Sequence, residues 1–288
     1  MQSSLLTPAG LGGVTWLVTP GGAANRFETA LASGADIVLL DLEDSVPAEA
    51  KAGARDGVLA FVSEHARRPG GPLLGVRINA ADTAEGLRDV VAMADLSLWP
   101  DLVVVPKAEY GRDIAAVVRA VRRARSATKV WALIESPQGV VGLPGIMRVP
   151  GLAGVLFGAA DYAAAAGCGL TSRAMWYPRS QLVTAAAAAG LPAVDSPYFF
   201  LDDQDGLRRD ALEAVELGFA GKVAVHPRQL KVIAEAFTPG SREVEEARAV
   251  LAAAARADGA ITTAGGAMVG PPLVKAAART VARRASQQ

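Results

Sequence analysis

Residues 130–161, VWALIESPQGVVGLPGIMRVPGLAGVLFGAAD, contain two short apolar runs that each lead toward a carboxylate. The run Val130–Ile134 precedes Glu135, and the run Gly154–Phe157 is followed within a few residues by Asp161. Short runs that are apolar throughout are typical of parallel strands covered on both faces. We therefore predict two neighbouring parallel strands with an acidic side chain after each.

The same pattern extends in both directions along the chain. The predicted strands are Val14–Val18, Ile37–Leu42, Leu73–Ile78, Leu102–Val105, Val130–Ile134, Gly154–Phe157, Ala193–Asp195 and Val223–Val225. The predicted helices between them are Ala24–Ser33, Pro47–His65, Thr83–Met93, Asp113–Ser126, Ser172–Ala189 and Asp205–Leu217. This alternation indicates either a closed barrel or a doubly wound open sheet. No G-x-G-x-x-G motif follows the first strand, which favours the barrel.

Residues 1–238 are thus predicted to form an α/β domain, a (β/α)8 TIM barrel, and residues 239–288 a C-terminal helical extension. Helices are expected near Pro227–Ala236, Arg242–Arg256 and Pro271–Arg284, with a glycine-rich linker from Gly259 to Gly266. This tail exceeds one barrel helix. We expect it to cap the barrel or to pack on a neighbouring subunit of a homo-oligomer.

Composition narrows the function classes. Lys plus Arg (29) equals Asp plus Glu (29), so nothing predicts nucleic-acid binding. No charge-free apolar run is long enough to predict a membrane span. The single cysteine, Cys168, cannot form an internal disulfide, and a cytoplasmic location is expected.

Polar residues follow nearly every predicted strand, where barrel enzymes carry their chemistry. These strand ends read Asp41-Leu42-Glu43-Asp44, Arg77-Ile78-Asn79, Pro106-Lys107-Ala108-Glu109, Glu135-Ser136-Pro137, Gly158-Ala159-Ala160-Asp161, Asp195-Ser196-Pro197 and His226-Pro227. Purely structural alternatives exist: Asp161 as a helix N-cap, Arg77 as an ion pair with Asp41 or Glu43, and His226 as a loop hydrogen bond. Such explanations must recur on nearly every strand, which is their weakness.

Glu135 and Asp161 follow consecutive strands, which lie about 4.8 Å apart in a sheet. Two carboxylates so close repel each other unless a cation or a proton lies between them. Oxygen ligands and retained water favour Mg²⁺, with Mn²⁺ as an alternative. Zinc is disfavoured, because the chain has only two histidines, His65 and His226. The fork of Arg77 then suits the carboxylate or enolate of a 2-hydroxy or 2-oxo acid.

The ordered segments resemble the citrate lyase beta-subunit-like (CitE-like) members of the HpcH/HpaI aldolase family. The matching stretches are ALASGADIVLLDLEDSVP, GVRINAADT, VVVPKAE, ALIESPQGV, GVLFGAADYAAAAG, RSQLVTAAAAAGLPAVDSPY and LGFAGKVAVHPRQL, which together span residues 30 to 230. The resemblance implies a Mg²⁺-dependent barrel, trimeric or hexameric. It also implies cleavage of a hydroxyacyl-CoA (citryl-, malyl- or citramalyl-CoA) into an acyl-CoA and a 2-oxo acid.

The resemblance also implies roles for individual residues. Glu135 and Asp161 match the family's metal ligands, and Arg77 matches the arginine that contacts substrate and enolate. Glu43 and Asp44, in the acidic turn, line the same pocket, and either an acidic-turn residue or a metal-bound water is the expected base. The residues expected to bind substrate are Arg77, Glu135, Asn79, Lys107, Pro20 and Arg26.

Two positions depart from the family's pattern. After strand one, Ala23 stands where relatives carry a basic residue associated with CoA binding, and Arg26 is the nearest substitute. In the run Met268-Val269-Gly270-Pro271-Pro272, Gly270 replaces an Asp linked to thioester hydrolysis, so we expect no hydrolytic step.

Three alternatives stay open. A class II aldolase acting on free 4-hydroxy-2-oxo acids is the nearest, and Ala23 favours it. A phosphoenolpyruvate-type phosphotransferase is disfavoured, because no phosphohistidine-type motif is present. A non-catalytic barrel subunit is disfavoured by Arg77, Glu135 and Asp161 occurring together.

Overall fold

A computed structural model describes residues 13–66, 70–124, 126–257, 261–265 and 267–285. Eight parallel strands form a closed barrel in chain order, and β8 pairs with β1 to complete it. The strands are β1 Thr15–Pro20, β2 Ile37–Asp41, β3 Leu73–Arg77, β4 Leu102–Val105, β5 Lys129–Ile134, β6 Leu152–Phe157, β7 Ala193–Asp195 and β8 Gly221–Ala224. The predicted (β/α)8 barrel is confirmed, with strand ends shifted by one or two residues.

Helices cover the outside of the barrel and form most of the tail. They are α1 Phe27–Leu31, α2 Lys51–His65, α3 Ala84–Ala94, α4 Gly111–Arg123, α5 Pro137–Ile146, α6 Ala159–Ala166, α7 Ser172–Ala189, α8 Gln204–Leu217, α9 Leu230–Phe237, α10 Ser241–Arg256 and α11 Pro271–Ala285. Asp203 caps the start of α8, and Gly190 ends α7 in the left-handed conformation.

Two apolar layers position the site. One lies between strands and helices, and the other fills the barrel axis. Trp16 and Trp131 meet edge to face inside the barrel, with ring centroids 4.8 Å apart. Strand side chains alternate between the layers, so Glu135 follows Trp131 and Leu133 on the inner face of β5. Inner-face residues at the carboxyl ends therefore meet above a filled axis.

Helices α5 and α6 were missed from the sequence. Helix α5 contains three glycines and an internal Pro144, which lower intrinsic helix propensity. Its glycines serve packing: a Cβ on Gly142 would come within 2.1 Å of the Glu109 carbonyl oxygen. The Ser136 side chain caps this helix by accepting from the Gly139 N–H at 3.0 Å. Tertiary contact and capping, rather than propensity, account for α5.

The tail differs from its prediction in one respect. The segment Gly259–Gly266 was predicted as a linker, but its described part contains β9, Thr262–Ala264, which pairs antiparallel with β10, Ala267–Val269. Helix α10 packs on α11 and on this hairpin. The predicted boundary after residue 238 falls between α9 and α10 and stays a prediction. Within the described ranges, no helix is both long and apolar enough to cross a bilayer.

A buried ionic cluster lies outside the barrel, between β7, β8, α7 and α8. We call it the outer cluster; its members are Arg179, Asp195, Asp210, Glu213 and Lys222. Asp195 accepts hydrogen bonds from Arg179 Nε at 3.1 Å and Nη2 at 2.9 Å, and from Lys222 Nζ at 2.5 Å. Asp195 thus faces the helices, and its position at a strand end does not bring it to the barrel mouth.

Candidate active site

Arg77 is held by Asp41 through both oxygens of that carboxylate. Arg77 Nε lies 2.6 Å from Oδ1 and Nη2 lies 2.7 Å from Oδ2, across the β2–β3 pair. Burial of Asp41 works to raise its pKa, but the hydrogen bonds and charge of Arg77 outweigh it and hold that pKa below its usual value. The pKa of Arg77 is correspondingly raised. Arg77 therefore stays charged and fixed in orientation.

The acidic turn after β2 brings Glu43 and Asp44 beside the same arginine. Glu43 lies 3.0 Å from Arg77 Nη1 and 2.8 Å from Lys107 Nζ, and Asp44 lies 3.2 Å from Lys107 Nζ. Burial and the charge of Asp44 raise the pKa of Glu43 above its usual value, although Arg77 and Lys107 oppose the shift. Lys51 holds this turn by donating to the carbonyl oxygens of Leu42 and Glu43, both at 3.0 Å.

Glu135 is a buried carboxylate of the site, with 3% of the residue exposed. Its Oε1 accepts the Lys107 backbone N–H at 2.7 Å. Burial, with the charges of Glu43 and Asp161, raises the pKa of Glu135 to about 8, against the opposing effects of the Lys107 N–H and of Arg77. A cation bound beside Glu135 would lower this pKa, because it favours the ionised carboxylate and offsets the repulsion from the neighbouring acids.

Asp161 lies within the first turn of α6, whereas the sequence had placed it at the end of a strand. The N-cap of α6 is Gly158, so the alternative of Asp161 as an N-cap is wrong. The charge of Asp161 contributes to the raised pKa of Glu135, and the role of the two residues as metal ligands stays a prediction. Gly158 lets the Glu135 side chain lie against its backbone, because a Cβ there would come within 2.5 Å of Glu135 Cβ and 2.8 Å of Glu135 Oε2.

Other predicted substrate-binding residues lie around this centre with different contacts. The side chain of Asn79 donates from Nδ2 to Asp89 at 2.8 Å, and Asn79 is 5% exposed. This contact gives no support to a role in substrate binding, which stays a prediction. Pro20 ends β1, and the exposed Arg26 lies in the 3₁₀ turn Ala24–Arg26 after it. Their roles also stay predictions.

The structure contains two of the structural contacts that the sequence analysis gave as alternatives to functional roles. Arg77 does pair with Asp41 and Glu43, and His226 does accept a loop hydrogen bond from the Arg228 N–H at 3.1 Å. Sequence reasoning missed Lys51 and Gly158. Lys51 gives no local signal, because its contact with the acidic turn depends on the packing of α2. Gly158 directly follows β6, and a glycine between a strand and an acidic helix start was the available clue.

The site therefore combines five acidic and two basic side chains at one end of the barrel. We call this the site cluster; its members are Asp41, Glu43, Asp44, Arg77, Lys107, Glu135 and Asp161. Over the part of the chain that the structure describes, no group of three or more His, Cys, Asp or Glu residues is arranged to hold a metal ion. Two carboxylates, Glu135 and Asp161, fit an ion that keeps most of its water, as Mg²⁺ does.

The chain is similar to known proteins of one family. The sequence model of the HpcH/HpaI aldolase/citrate lyase family matches residues 15–227. An L-malyl-CoA/beta-methylmalyl-CoA lyase of Cereibacter sphaeroides is 35% identical over 272 residues, covering 84% of this chain and 85% of that protein. A (3S)-malyl-CoA thioesterase of the same species is 33% identical over 245 residues, covering 82% and 81%.

A solved structure extends the similarity over nearly the whole chain. It is protein CitE from Mycobacterium tuberculosis in complex with magnesium, acetoacetate and coenzyme A. This relative is 30% identical with a TM-score of 0.82, covering 96% of this chain and 99% of that one. Together with the family match, these relatives confirm the resemblance that the ordered sequence segments predicted. The chain belongs to the HpcH/HpaI aldolase/citrate lyase family.

Proposed function

We propose that this protein is a Mg²⁺-dependent carbon–carbon lyase that cleaves a hydroxyacyl-CoA into an acyl-CoA and a 2-oxo acid. One observation carries the proposal: Glu135 is buried beside Glu43 and Asp161 with its pKa raised to about 8, while Arg77 faces the same centre. Arg77 and Lys107 pair with Asp41, Glu43 and Asp44, but the pKa of Glu135 stays raised despite the charge of Arg77. A divalent cation bound with an anionic substrate supplies a further positive charge.

Glu135 and Asp161 are the residues that would hold the ion. When bound, Mg²⁺ would polarise the oxygen atoms of the hydroxy acid and offset the charge that develops as the bond breaks. Mn²⁺ shares the preference for oxygen ligands and is a candidate substitute. Lys107 and Gly158 support Glu135, the first through its N–H and the second because the absence of a Cβ lets Glu135 pack against the backbone.

Arg77 is proposed to bind the substrate carboxylate and to stabilise the enolate that forms on cleavage. Asp41 occupies its Nε and Nη2, and Glu43 lies at Nη1, so each terminal nitrogen keeps a further N–H for a ligand. Because Asp41 fixes the guanidinium before substrate arrives, little ordering remains at the moment of reaction.

Glu43 is the proposed general base for the hydroxyl proton. A carboxylate whose pKa is raised by burial is better matched to this proton transfer than one at its ordinary value. Cleavage then moves the electrons of the C–C bond onto the acyl fragment as an enolate, and the hydroxyl carbon becomes the carbonyl of the 2-oxo acid. Return of one proton to the enolate carbon, equal in number to the proton that Glu43 removed, completes the acyl-CoA. Asp44, which is half exposed, is proposed to help hold Lys107 beside Glu43.

The CoA portion of the substrate is supported by the relatives, two of which are named for malyl-CoA and one of which is a complex with coenzyme A. Ala23 in the loop after β1 gives no basic contact, and the exposed Arg26 is the nearest positive charge in that loop. An aldolase acting on free 4-hydroxy-2-oxo acids is therefore the second candidate.

The test is to incubate the protein with malyl-, citramalyl- and citryl-CoA, with Mg²⁺, with Mn²⁺ and with EDTA, and to measure 2-oxo acid and free thiol separately. We expect 2-oxo acid without free CoA, and no product in EDTA. Free CoA released with a 2-oxo acid would instead indicate thioester hydrolysis and contradict the expectation drawn from Gly270. Cleavage of free 4-hydroxy-2-oxo acids alone would favour the aldolase, and no cleavage of any substrate would favour a non-catalytic barrel.

A trimeric or hexameric assembly and a cytoplasmic location are part of the same proposal. Light scattering of the purified chain checks the first. If the tail packs on a neighbouring subunit, removal of residues 239–288 lowers the measured mass to that of one truncated chain.

A further inference from the structure

Lys107 has an unusual backbone conformation. Its φ is 50°, and no other non-glycine residue within the described ranges has a positive φ. Residues with a Cβ adopt this left-handed region at a cost, and such strain clusters at functional sites. A glycine here would avoid the cost, so the presence of Lys needs an explanation in what its two polar groups contact.

The two polar groups of Lys107 reach opposite halves of the site cluster. Its backbone N–H donates to Glu135 Oε1 at 2.7 Å, on the metal-ligand side. Its Nζ lies 2.8 Å from Glu43 Oε1 and 3.2 Å from Asp44 Oδ1, on the acidic-turn side. The strand order places β3, and hence Arg77, between these halves. Lys107 therefore links β5 to the turn after β2 across the strand that carries the arginine.

We infer that Lys107 is a positioning residue of the proposed active site, in which a left-handed backbone aims the N–H at Glu135 while the side chain holds Glu43 and Asp44. The inference deepens the proposed function and rests on it. The N–H holds Glu135 by Oε1, and Oε2 packs against the backbone of Gly158, where a Cβ would lie 2.8 Å from it. With Glu43 fixed by the ammonium, the proposed base keeps its place beside Arg77.

A pair of substitutions separates the two roles. Lys107→Gly and Lys107→Val both remove the ammonium group, so their difference contains no charge effect. Glycine tolerates a positive φ, whereas valine is β-branched and strongly disfavours it. Lys107→Arg keeps the charge and adds no backbone preference. The matched controls are Lys129→Gly and Lys129→Val, because Lys129 is exposed and begins β5.

Calorimetric titration of the full chain with Mg²⁺ alone tests the role of the Lys107 backbone, because it measures the Mg²⁺ dissociation constant. We expect Lys107→Gly to keep the Mg²⁺ dissociation constant within threefold of the unsubstituted protein and Lys107→Val to raise it at least tenfold. The Lys129 variants should match the unsubstituted protein. Equal Mg²⁺ affinity in Lys107→Gly and Lys107→Val would overturn the backbone role, as would a tenfold loss in both.

Steady-state kinetics at saturating Mg²⁺ test the role of the Lys107 side chain, because they measure kcat and KM separately. We expect Lys107→Gly to lose at least tenfold in kcat with a small change in KM, and Lys107→Arg to recover most of kcat. A Lys107→Gly variant with unchanged kcat would overturn this role. If the unsubstituted protein binds no Mg²⁺, the proposed function fails. The backbone claim is then decided by melting temperature, which must fall further for Lys107→Val than for Lys107→Gly.

Discussion

The outer cluster and the site cluster are both buried groups of acidic and basic side chains. They differ in how completely their charged groups are paired with one another. In the outer cluster, Asp195 receives three charged donors and Lys222 contacts Asp195, Asp210 and the Ser196 carbonyl oxygen. In the site cluster, Asp41 is equally well bonded by Arg77, yet the pKa of Glu135 is raised to about 8. The outer cluster is a closed structural unit, and the site cluster has room for one more positive charge.

This difference distinguishes the outer cluster, which stabilises the fold, from the site cluster, which can bind a ligand. A buried ion pair with every donor and acceptor used has no capacity left for a ligand. A carboxylate kept near-neutral by its neighbours costs stability that a ligand returns on binding. A buried group of charged side chains therefore does not by itself indicate an active site. A buried carboxylate that lacks a full set of positively charged partners does indicate one.

The largest expected effect comes from replacing Glu135, because this removes the carboxylate of the site cluster whose charge is not neutralised by its neighbours. Glu135→Gln keeps the shape and removes the ionisable oxygen. We expect lyase activity to fall roughly 10⁴-fold and Mg²⁺ binding to be lost, because metal-assisted stabilisation of developing charge contributes several kcal/mol. Activity assays and calorimetry check this. Activity within tenfold of the unsubstituted protein would remove Glu135 from the metal site.

Opening the outer cluster should give the second largest effect, on stability. Lys222→Met leaves Asp195 and Asp210 without their ammonium partner in a buried position. We expect the free energy of unfolding to fall by about 3–5 kcal/mol. Chemical denaturation measures it. The control is Lys231→Met, because Lys231 is 86% exposed and its contact with Glu235 is 4.0 Å long.

Mg²⁺ affinity completes that test, because it distinguishes the two clusters. We expect folded Lys222→Met to bind Mg²⁺ as the unsubstituted protein does. A selective loss of Mg²⁺ affinity in this variant would mean that the two clusters are coupled and would weaken the contrast drawn between them.

Arg77→Lys should give an intermediate effect, confined to catalysis. Lysine keeps the charge but cannot form the paired contacts that Asp41 makes with Nε and Nη2. We expect kcat to fall roughly 10²-fold, equivalent to about 3 kcal/mol, while Mg²⁺ affinity stays within a few-fold. Full activity in this variant would show that charge alone suffices and that the fixed orientation of Arg77 contributes little.

The last expected effect is a pH dependence of stability in the metal-free protein. The pKa of Glu135 is raised from 4.5 to about 8 in the folded state, so the folded state retains a proton that the unfolded state releases between these values. Stability should therefore decline, relative to Glu135→Gln, as pH rises from about 4.5 to about 8. Saturating Mg²⁺ should abolish the decline. A pH-independent difference between the two proteins would contradict the raised pKa.

Much of the barrel could be predicted because its strands are short, apolar and regularly spaced. Helices α5 and α6 could not, because one is rich in glycine and proline and the other is short and nearly all alanine. Helix α5 has low intrinsic helix propensity, and α6 is rich in the strong helix former alanine but only eight residues long, so packing against neighbouring elements decides their conformation. The tail hairpin was missed for the same reason, since a glycine-rich turn also fits a linker.

The site was predictable at the level of strand ends but not of side-chain direction. Glu135 and Arg77 face the barrel axis, whereas Asp195, also at a strand end, faces outward to Arg179 and Lys222. Alternation within β7 offered the clue, because the apolar Val194 lies in the barrel interior and its neighbour must face away. The contacts of Lys51 and the backbone of Lys107 depend on three-dimensional packing and left no pattern in the sequence.

The indole pair of Trp16 and Trp131 closes the barrel axis below the catalytic end. Trp16 is 0% and Trp131 3% exposed, so the axis is not a channel. Under the proposed function, substrate therefore reaches Glu135 from the carboxyl ends of the strands, and the products leave on that same side of the tryptophan pair.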